Sequence, residues 1–320
     1  MNKFLPVVIG TGLLVTGSAF AADIPAPTLY GRVHVSVGMI DNDDGSATQV
    51  KSNASRFGMK GKYDIDAGLA ATYKLEFEVD TTDDTATSIK KGRTQYAGLK
   101  GSFGEIRVGR HDTAYKWSTA KFDPWGDTYA DYNNILDKDE HDARENNSIV
   151  YVNKFDAFSL AASYSAGSDD IAGDNDGSRV SIGGMYKAGG LMIGGGFEDV
   201  DAASSAFKLG ASYSFDAFKL GGVVESVDKE TAGTDELNLF ITGEFKLSKE
   251  GSIKAVFGQT DIDASSAEDP TMFAIGYNHK FNKKASAYVL FVSGDDEGMD
   301  EAGGVDGDAT AFALGLKYNF

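Results

Sequence analysis

The sequence predicts an all-β fold: a closed 16-stranded antiparallel transmembrane β-barrel with an inward-folded third loop. The first observation is a final strand that alternates apolar and polar residues and ends on an aromatic residue. The second is the same alternation in about sixteen segments of about 9 to 12 residues, the length of a tilted membrane-spanning strand. The third is that short turns alternate with long acidic connections along the chain.

The last ten residues, 311–320, show the alternation most clearly. The side chains of one face are all apolar, and they are Phe312, Leu314, Leu316, Tyr318 and Phe320. A terminal strand left as an edge would expose unpaired backbone groups. Pairing with the first strand closes a barrel and removes that edge, and in a bilayer the apolar face then meets lipid. Phe320 also resembles the C-terminal signal recognised by the outer-membrane assembly machinery.

The other end of the chain has the features of an export signal. Lys3 supplies a basic start, residues 4–17 are largely apolar, and Ala19 and Ala21 are the small residues that a signal peptidase requires. We therefore expect residues 1–21 to be a cleaved signal peptide and residues 22–320 to form the barrel. A membrane anchor is the alternative, but the apolar run is short for a spanning helix.

Composition narrows the class further. The chain has no Cys, which rules out a disulfide framework, and no later stretch approaches the roughly 18 apolar residues of a spanning helix. Its net charge is −18 and 42% of its residues are hydrophobic. That charge excludes the wrapping of nucleic acid, which requires a basic surface, and the hydrophobic content argues against disorder. Acidity alone would also suit a soluble secreted protein.

Residues 69–80 illustrate the strand pattern. Leu69, Tyr73 and Phe77 lie on one face, and Lys74 and Glu76 lie on the other. A half-buried strand of a soluble sandwich has the same period, so segment length makes the distinction, because soluble strands usually have about five or six residues. Tyrosines near strand ends fit aromatic girdles at the membrane interfaces, and they are Tyr73, Tyr164, Tyr186, Tyr213 and Tyr318.

The connections form two alternating sets. Short turns such as 101–103 and 216–217 alternate with longer acidic stretches such as 169–177 and 295–308. Short turns at one end and long loops at the other are typical of an outer-membrane barrel. We therefore expect a single domain with both termini in the periplasm.

One connection is much longer than the others. Residues about 111–145 contain both tryptophans, Trp117 and Trp125, and are rich in tyrosine. Connections longer than about 15 residues are usually functional or disordered, and the aromatic content argues against disorder. We expect this third loop to fold against the inner wall and narrow the lumen as a constriction loop. An external lid or adhesive loop is the alternative.

Several motifs in the first half of the mature chain resemble the general bacterial porins. They are TLYGR at 28–32, SRFGMKG at 55–61, AGLKGSFG at 97–104 with RVGR at 107–110, and DPW at 123–125 followed by NSIVY at 147–151. The likeness is to the neisserial-type branch, whose members are trimeric sixteen-stranded channels with an inward-folded third loop. The second half resembles the family only in its strand pattern and its final Phe.

The resemblance implies a basic wall that faces an acidic loop in the pore. The matching wall residues are Arg32, Arg56, Arg93 and Arg144, and the matching loop residues are Asp123, Asp127 and Asp131. Many family members carry Glu directly after Pro124, where this chain has Trp125, so the acid that faces the arginines stays open. Parity supports Arg32 and Arg56 independently, because each lies on the polar face of its strand and a charge facing lipid costs about 2 to 4 kcal/mol at the midplane. Ordinary lumen residues without a collective role are the alternative.

The resemblance implies an outer-membrane porin of a Gram-negative bacterium, a water-filled channel for passive diffusion of small hydrophilic solutes and ions. Cations on the wall and carboxylates on the loop would set a field at the narrowest point, where polar solutes exchange their hydration for protein groups. We expect a mild preference for cations because the external connections are acidic, although the arginine wall opposes it. A solute-specific channel and a non-conducting adhesin or structural barrel are the alternatives.

We expect no enzyme activity and no cofactor. The four histidines are scattered, and the sequence has neither a Gly-x-Ser-x-Gly nor a His-Glu-x-x-His motif. His111 beside Asp112 and His141 beside Asp142 are more simply loop residues. The acidic connections could bind Ca²⁺ or Mg²⁺ loosely, but residues 174–177 lack the full calcium-loop pattern.

The expected partners are outer-membrane lipid and lipopolysaccharide, small solutes and ions, and further copies of the chain in a homotrimer. The trimer follows mainly from the resemblance. Small residues on early strands would permit close packing between barrels, namely Gly31, Gly38, Gly58 and Gly61.

Overall fold

The computed structural model describes residues 25–42, 45–82, 89–136, 141–167, 177–230, 234–263, 269–295 and 308–320. The expected signal peptide, residues 1–21, lies outside this part of the chain. Within it the chain is almost entirely antiparallel strand, with one short α-helix and one 3₁₀ turn. None of the helical residues described forms a helix long and apolar enough to cross a bilayer.

The described residues form seventeen strands in a single sheet. They are β1 Thr28–Asn42, β2 Gly45–Ser52, β3 Arg56–Asp66, β4 Leu69–Val79, β5 Ile89–Gly101, β6 Gly104–Asp112, β7 Arg144–Phe155, β8 Phe158–Ser165, β9 Arg179–Ala188, β10 Leu191–Val200, β11 Ser204–Phe215, β12 Phe218–Lys229, β13 Glu236–Lys246, β14 Gly251–Ile262, β15 Thr271–Lys280, β16 Ala285–Gly294 and β17 Ala309–Asn319. Both β2 and β3 pair with β1, β2 along residues 35–42 and β3 along residues 28–32. β2 and β3 therefore share one strand position in the barrel. The seventeen strands fill sixteen positions, which confirms the prediction of a 16-stranded barrel.

The last strand closes the barrel on the first. Val33 lies opposite Tyr318 in antiparallel register. The backbone N–H of Gly31 donates to the carbonyl of Phe320 at 3.2 Å, and the N–H of Phe320 donates back at 3.1 Å. Closure satisfies the backbone groups that a terminal edge would expose.

The two faces of the sheet differ as the alternation predicts. Val37 and Leu314 are 48% and 54% exposed, whereas Ser36 and His34 are 3% and 1% exposed. We call the face with exposed apolar side chains the outer face and the other the inner face. An apolar outer face is the surface that a barrel presents to hydrocarbon.

Aromatic rings stack on the outer face where strands meet short turns. The ring centres of Phe215 and Phe218 lie 5.6 Å apart, and those of Phe218 and Phe245 lie 4.7 Å apart. Tyr213 extends the stack. Four of the tyrosines expected in girdles are exposed on the outer face, namely Tyr164, Tyr186, Tyr213 and Tyr318.

The two ends of the barrel differ in their connections. At one end, the short-turn end, every connection between described strands has two to four residues. The other end, the long-connection end, carries stretches such as 166–178 and 295–308. Two connections there are short, residues 43–44 and 201–203, which the turn pattern did not predict.

Two of the four glycines expected to face a neighbouring barrel lie on the inner face instead. A side chain at Gly38 would meet the ring of Tyr129 at 2.7 Å, and one at Gly58 would meet an inner-face tyrosine hydroxyl at 2.7 Å. Alternation explains the error, because both glycines share the parity of inner-face neighbours on their strands. Packing between barrels is therefore open to Gly31 and Gly61, and the expectation is wrong for the other two.

Candidate constriction site

The chain between β6 and β7, the 113–143 segment, is described except for residues 137–140. It begins with α1, Ala114–Thr119, whose N-cap Thr113 accepts a hydrogen bond from a backbone N–H of the first turn at 3.1 Å. Asp131 caps the 3₁₀ turn Tyr132–Asn134 in the same way at 3.0 Å. These caps fix two turns in a segment with little other regular structure.

Large aromatic side chains hold the 113–143 segment against the barrel. Tyr115, Phe122, Trp125 and Tyr129 are each at most 3% exposed. The Trp125 ring meets the inner-face ring of Tyr288 on β16 at 5.7 Å in a T-shaped arrangement. Burial of such rings is the main apolar contribution to holding the segment in place.

Inner-face glycines make room for these side chains. A Cβ at Gly210 of β11 would meet the ring of Phe122 at 2.9 Å, and one at Gly258 of β14 would meet Ile135 at 2.5 Å. Gly38 of β1 is in similarly close contact with a tyrosine of the segment. Since these strands are far apart in the sheet, the segment touches the inner face on several sides.

A buried ion cluster anchors the end of the segment. Asp142 accepts hydrogen bonds from Lys116 at 3.0 Å, from the Tyr132 hydroxyl at 2.9 Å, and from Lys208 of β11. Burial raises the pKa of Asp142, but the charges of Lys116 and Lys208 outweigh it and hold the pKa below its ordinary value. The Lys208 ammonium also lies 4.0 Å from the centre of the Tyr115 ring. The cluster therefore ties the segment to β11.

His141 belongs to the same anchor. It is fully buried, with Nδ1 at 3.2 Å from Glu198 and Nε2 at 3.0 Å from Ser204. Arg179 bonds the same Glu198 oxygen at 3.2 Å. His141 is a loop residue, as expected, and its contacts fix the loop to β10 and β11.

Two of the four candidate arginines converge on one candidate acid. Arg32 Nη1 and Arg56 Nη2 each lie 2.7 Å from the same oxygen, Oδ2 of Asp127. Arg32 also donates to Asn319 on β17 at 3.1 Å, which fixes its guanidinium across the closing seam. The three charged side chains remain 14 to 25% exposed, so they border open space.

The surroundings of Asp127 favour its ionised form. Burial raises its pKa, but Arg56, Arg32, Arg93 and Lys317 together outweigh burial. The pKa therefore lies below its ordinary value, as expected for a carboxylate beside several cations.

The other two candidate acids form bonds within the segment. Asp123 accepts from the backbone N–H of Trp125 at 2.8 Å and of Tyr132 at 3.3 Å. Burial, followed by the charge of Asp131, raises the pKa of Asp123 well above its ordinary value. Asp131 accepts from the backbone N–H of Asp127 at 2.7 Å. The structure thus brings Asp127, and not Asp123, to the arginine pair.

The remaining candidate arginines pair with carboxylates of the wall. Arg93 lies 2.7 Å from Glu78 and 3.1 Å from Glu76. Arg144 lies 2.8 Å from Asp112. These three acids were not predicted as site residues, although alternation placed both glutamates on the polar face of β4.

Two lysines near the arginine pair were also missed. Lys254 of β14 donates to the carbonyl of Pro124 at 3.0 Å and lies 5.0 Å from the centre of the Trp125 ring. Lys317 of β17 lies directly opposite His34 of β1. The only signal in the sequence that could have placed these two lysines on the inner face is their position in the alternation of their strands.

Comparison with known proteins identifies the family. The model of the Gram-negative porin family matches residues 8–298, and the chain belongs to that family. The major outer membrane protein P.IB of Neisseria meningitidis is 25% identical over 318 residues, which cover 92% of this chain and 94% of that protein. The expected likeness to neisserial-type porins is confirmed.

Solved structures share the fold. An anion-selective porin from Comamonas acidovorans matches with a TM-score of 0.78 at 22% identity, over 92% of this chain and 99% of that one. A trimer form of OmpT, an outer membrane protein of Vibrio cholerae, matches with a TM-score of 0.68 at 20% identity, over 92% and 99%. The chain is an outer-membrane porin, a diffusion channel, and its family and fold point to a channel rather than an enzyme.

Proposed function

We propose that the 113–143 segment lies inside the barrel and narrows its lumen, with Arg32, Arg56 and Asp127 lining the narrowest part. One observation carries the proposal. The segment supplies the acid that two arginines of β1 and β3 share, and it also packs against glycines of β11 and β14. Contacts with the inner face on several sides of a closed sheet support a position within the barrel.

Water and solutes would pass beside this charged cluster. Polar solutes can exchange hydration for the guanidinium and carboxylate groups, whereas apolar solutes lose water without replacement. Fixed charge close to the passage is net positive, since two arginines share one carboxylate and Lys254 and Lys317 lie nearby. We therefore propose a mild anion preference, in place of the cation preference expected from the acidic connections.

Recording in planar bilayers tests this function. The purified chain should form steady open channels, and the reversal potential in a salt gradient should have the sign of an anion-preferring pore. Replacing both Arg32 and Arg56 with Ser should move the reversal potential toward cations. Lys249→Ser, in a short turn, is the control and should leave it unchanged.

Three outcomes would contradict parts of this proposal. Absence of conductance would support the non-conducting barrel. Block by one small solute at low concentration would support the solute-specific channel. An unchanged reversal potential in the double Ser variant would remove the arginine pair from the selectivity site.

We also infer that the chain forms a homotrimer and that its outer face contacts lipid and lipopolysaccharide. The resemblance to trimeric porins supports the trimer. Small outer-face residues add to that support, because Gly61 and Ala97 both lie opposite Tyr73 and flatten the surface of β3 to β5. Mass measurement in mild detergent should give three copies, and monomers alone would contradict the inference.

A further inference from the structure

An arc of lysines extends along the inner face from the constriction to the short-turn end. Each member has inner-face parity and lies within four residues of the end of its strand at the short-turn end of the barrel. The lysine arc consists of Lys187, Lys219, Lys246, Lys254, Lys280 and Lys317.

Strand register brings the members together. Lys219 lies opposite Glu244, which in turn lies opposite Lys254. Lys280 and Lys317 both lie opposite the same serine of β16. Neighbouring ammonium groups are therefore within electrostatic range of one another, with Glu244 as the acid between two of them.

The lysine arc is largely uncompensated. Among the residues that the structure describes, no carboxylate lies within 4.0 Å of any of its ammonium groups. Three members are at the very edge of the barrel wall and are exposed, namely Lys187, Lys246 and Lys280. The short-turn end of the lumen therefore carries fixed positive charge.

The long-connection end has the opposite charge. Two inner-face cations there are paired with carboxylates, Arg179 with Glu198 at 3.2 Å and Lys229 with Glu236 at 2.6 Å. The connection residues that the structure describes at this end between β12 and β17 include no Lys or Arg and six carboxylates, namely Glu230, Asp235, Asp263, Asp269, Asp295 and Asp308. Negative charge therefore dominates this mouth.

We propose that the pore is bipolar, with an acidic vestibule at the long-connection end and a basic vestibule at the short-turn end, and that it rectifies ionic current. The proposal rests on the proposed function, because it needs an open channel. Cations collect in the acidic vestibule and anions in the basic one. A voltage that is positive at the acidic side drives both carriers into the constriction, and the reverse voltage depletes it.

Oriented insertion into a planar bilayer tests this inference. At about 0.1 M salt, where the Debye length is about 10 Å, we expect the current to be about twofold larger when the acidic side is positive. At about 1 M salt, where it is about 3 Å, the two polarities should give nearly equal currents. Inorganic tripolyphosphate should block when added at the short-turn side and not at the other.

A quadruple variant tests whether the lysine arc causes the rectification and the one-sided block. Replacing Lys187, Lys219, Lys246 and Lys280 with Gln should abolish both the rectification and the one-sided block by tripolyphosphate. Lys249→Gln, in the turn after β13, is the control and should keep both.

The outcomes separate this inference from the proposed function. Absence of conductance contradicts the porin function itself. A conducting channel with symmetric current at about 0.1 M salt contradicts only the bipolar pore, since the Debye length there leaves the vestibule charges unscreened over about 10 Å. Rectification that persists in the quadruple variant assigns it to other residues and overturns the role of the lysine arc.

Discussion

At the scale of single residues, one carboxylate oxygen offsets the electrostatic repulsion between two arginines of the barrel wall. Strand register places Arg32 of β1 directly opposite Arg56 of β3, and like charges in such a pair repel. Asp127 bonds both and offsets that repulsion. The family resemblance suggested all three residues, but it could not choose among the acids. The structure makes the choice through contacts distant in sequence, since Asp127 bonds the two arginines whereas Asp123 bonds backbone N–H groups of its own segment.

Replacing Asp127 with Asn should shift selectivity toward anions, because the two guanidinium groups then act on solutes without a compensating carboxylate. The reversal potential in a salt gradient measures the shift. Asp123→Asn is the matched control, since Asp123 accepts bonds from backbone N–H groups that an amide oxygen can also accept. A larger shift in Asp123→Asn than in Asp127→Asn would transfer the acidic role to Asp123.

The low pKa of Asp127 makes its effect resistant to acid. Burial raises the pKa, and Arg56 and Arg32 lower it by more, so the group stays charged where ordinary Asp residues, with pKa values of about 3.9, begin to protonate. Its pairing stabilises the fold above the unfolded-state pKa, and that contribution is lost as pH falls through the lower folded-state pKa.

We therefore expect the difference in reversal potential between the unmodified chain and Asp127→Asn to stay constant from neutral pH to about pH 4. Below that range the difference should shrink to zero. Titration of both proteins in the same bilayer system measures it. Loss of the difference already at a pH well above about 4 would show that Asp127 is not held ionised by the arginine pair.

At the scale of elements, the 113–143 segment is held by two kinds of contact, and only one could be predicted. Its aromatic content predicted burial against the wall, and Trp125 and Tyr129 are buried. The ion cluster of Asp142 and Lys208 could not be predicted, because its members are 66 residues apart and meet only through the closed barrel. Local patterns cannot specify such pairs.

Replacing Lys208 with Met should loosen the segment. Removing one partner of a buried ion pair costs about 3 to 5 kcal/mol when the other charge is left alone, and because Lys116 still bonds Asp142 in this variant, that range is the upper limit here. We expect a lower thermal unfolding temperature and noisier single-channel current. Lys229→Met is the control, because Lys229 pairs with Glu236 at 24% exposure, where such a pair is worth about 1 kcal/mol or less. Equal destabilisation of both variants would contradict the anchoring role of the Asp142 cluster.

Enlarging a glycine under the segment should narrow the channel. A Cβ at Gly258 would meet Ile135 at 2.5 Å, so valine there should push the segment away from β14 and lower the conductance. Gly243→Val is the control, because the nearest atom to a Cβ at Gly243 is 3.6 Å away. Unchanged conductance in Gly258→Val would argue that Ile135 yields without moving the segment.

At the scale of the whole molecule, alternation and strand length were enough to predict sixteen positions and closure between β1 and β17. They could not predict the break of the second position into β2 and β3, with Ala54 at a φ of 49°. The alternation of apolar and polar residues does not reveal that break, because the strands before and after it, β2 and β3, both pair with β1. Alternation could likewise have placed Gly38 and Gly58 on the inner face, but the prediction of an interface rested only on their small size and their position on early strands.

The asymmetry of the two ends predicts the orientation in the membrane. Outer-membrane barrels have short turns in the periplasm and long loops outside, so Glu230 in a long connection should face the medium and Lys283 in a short turn the periplasm. The chain has no Cys, so a single Cys at either position can be labelled without background. A maleimide on a polyethylene glycol too large for the pore should label Glu230→Cys on intact cells. It should label Lys283→Cys only after the outer membrane is permeabilised. The reverse labelling pattern would show that the barrel has the opposite orientation in the membrane, and the expected direction of the current asymmetry in the cell would then be reversed as well.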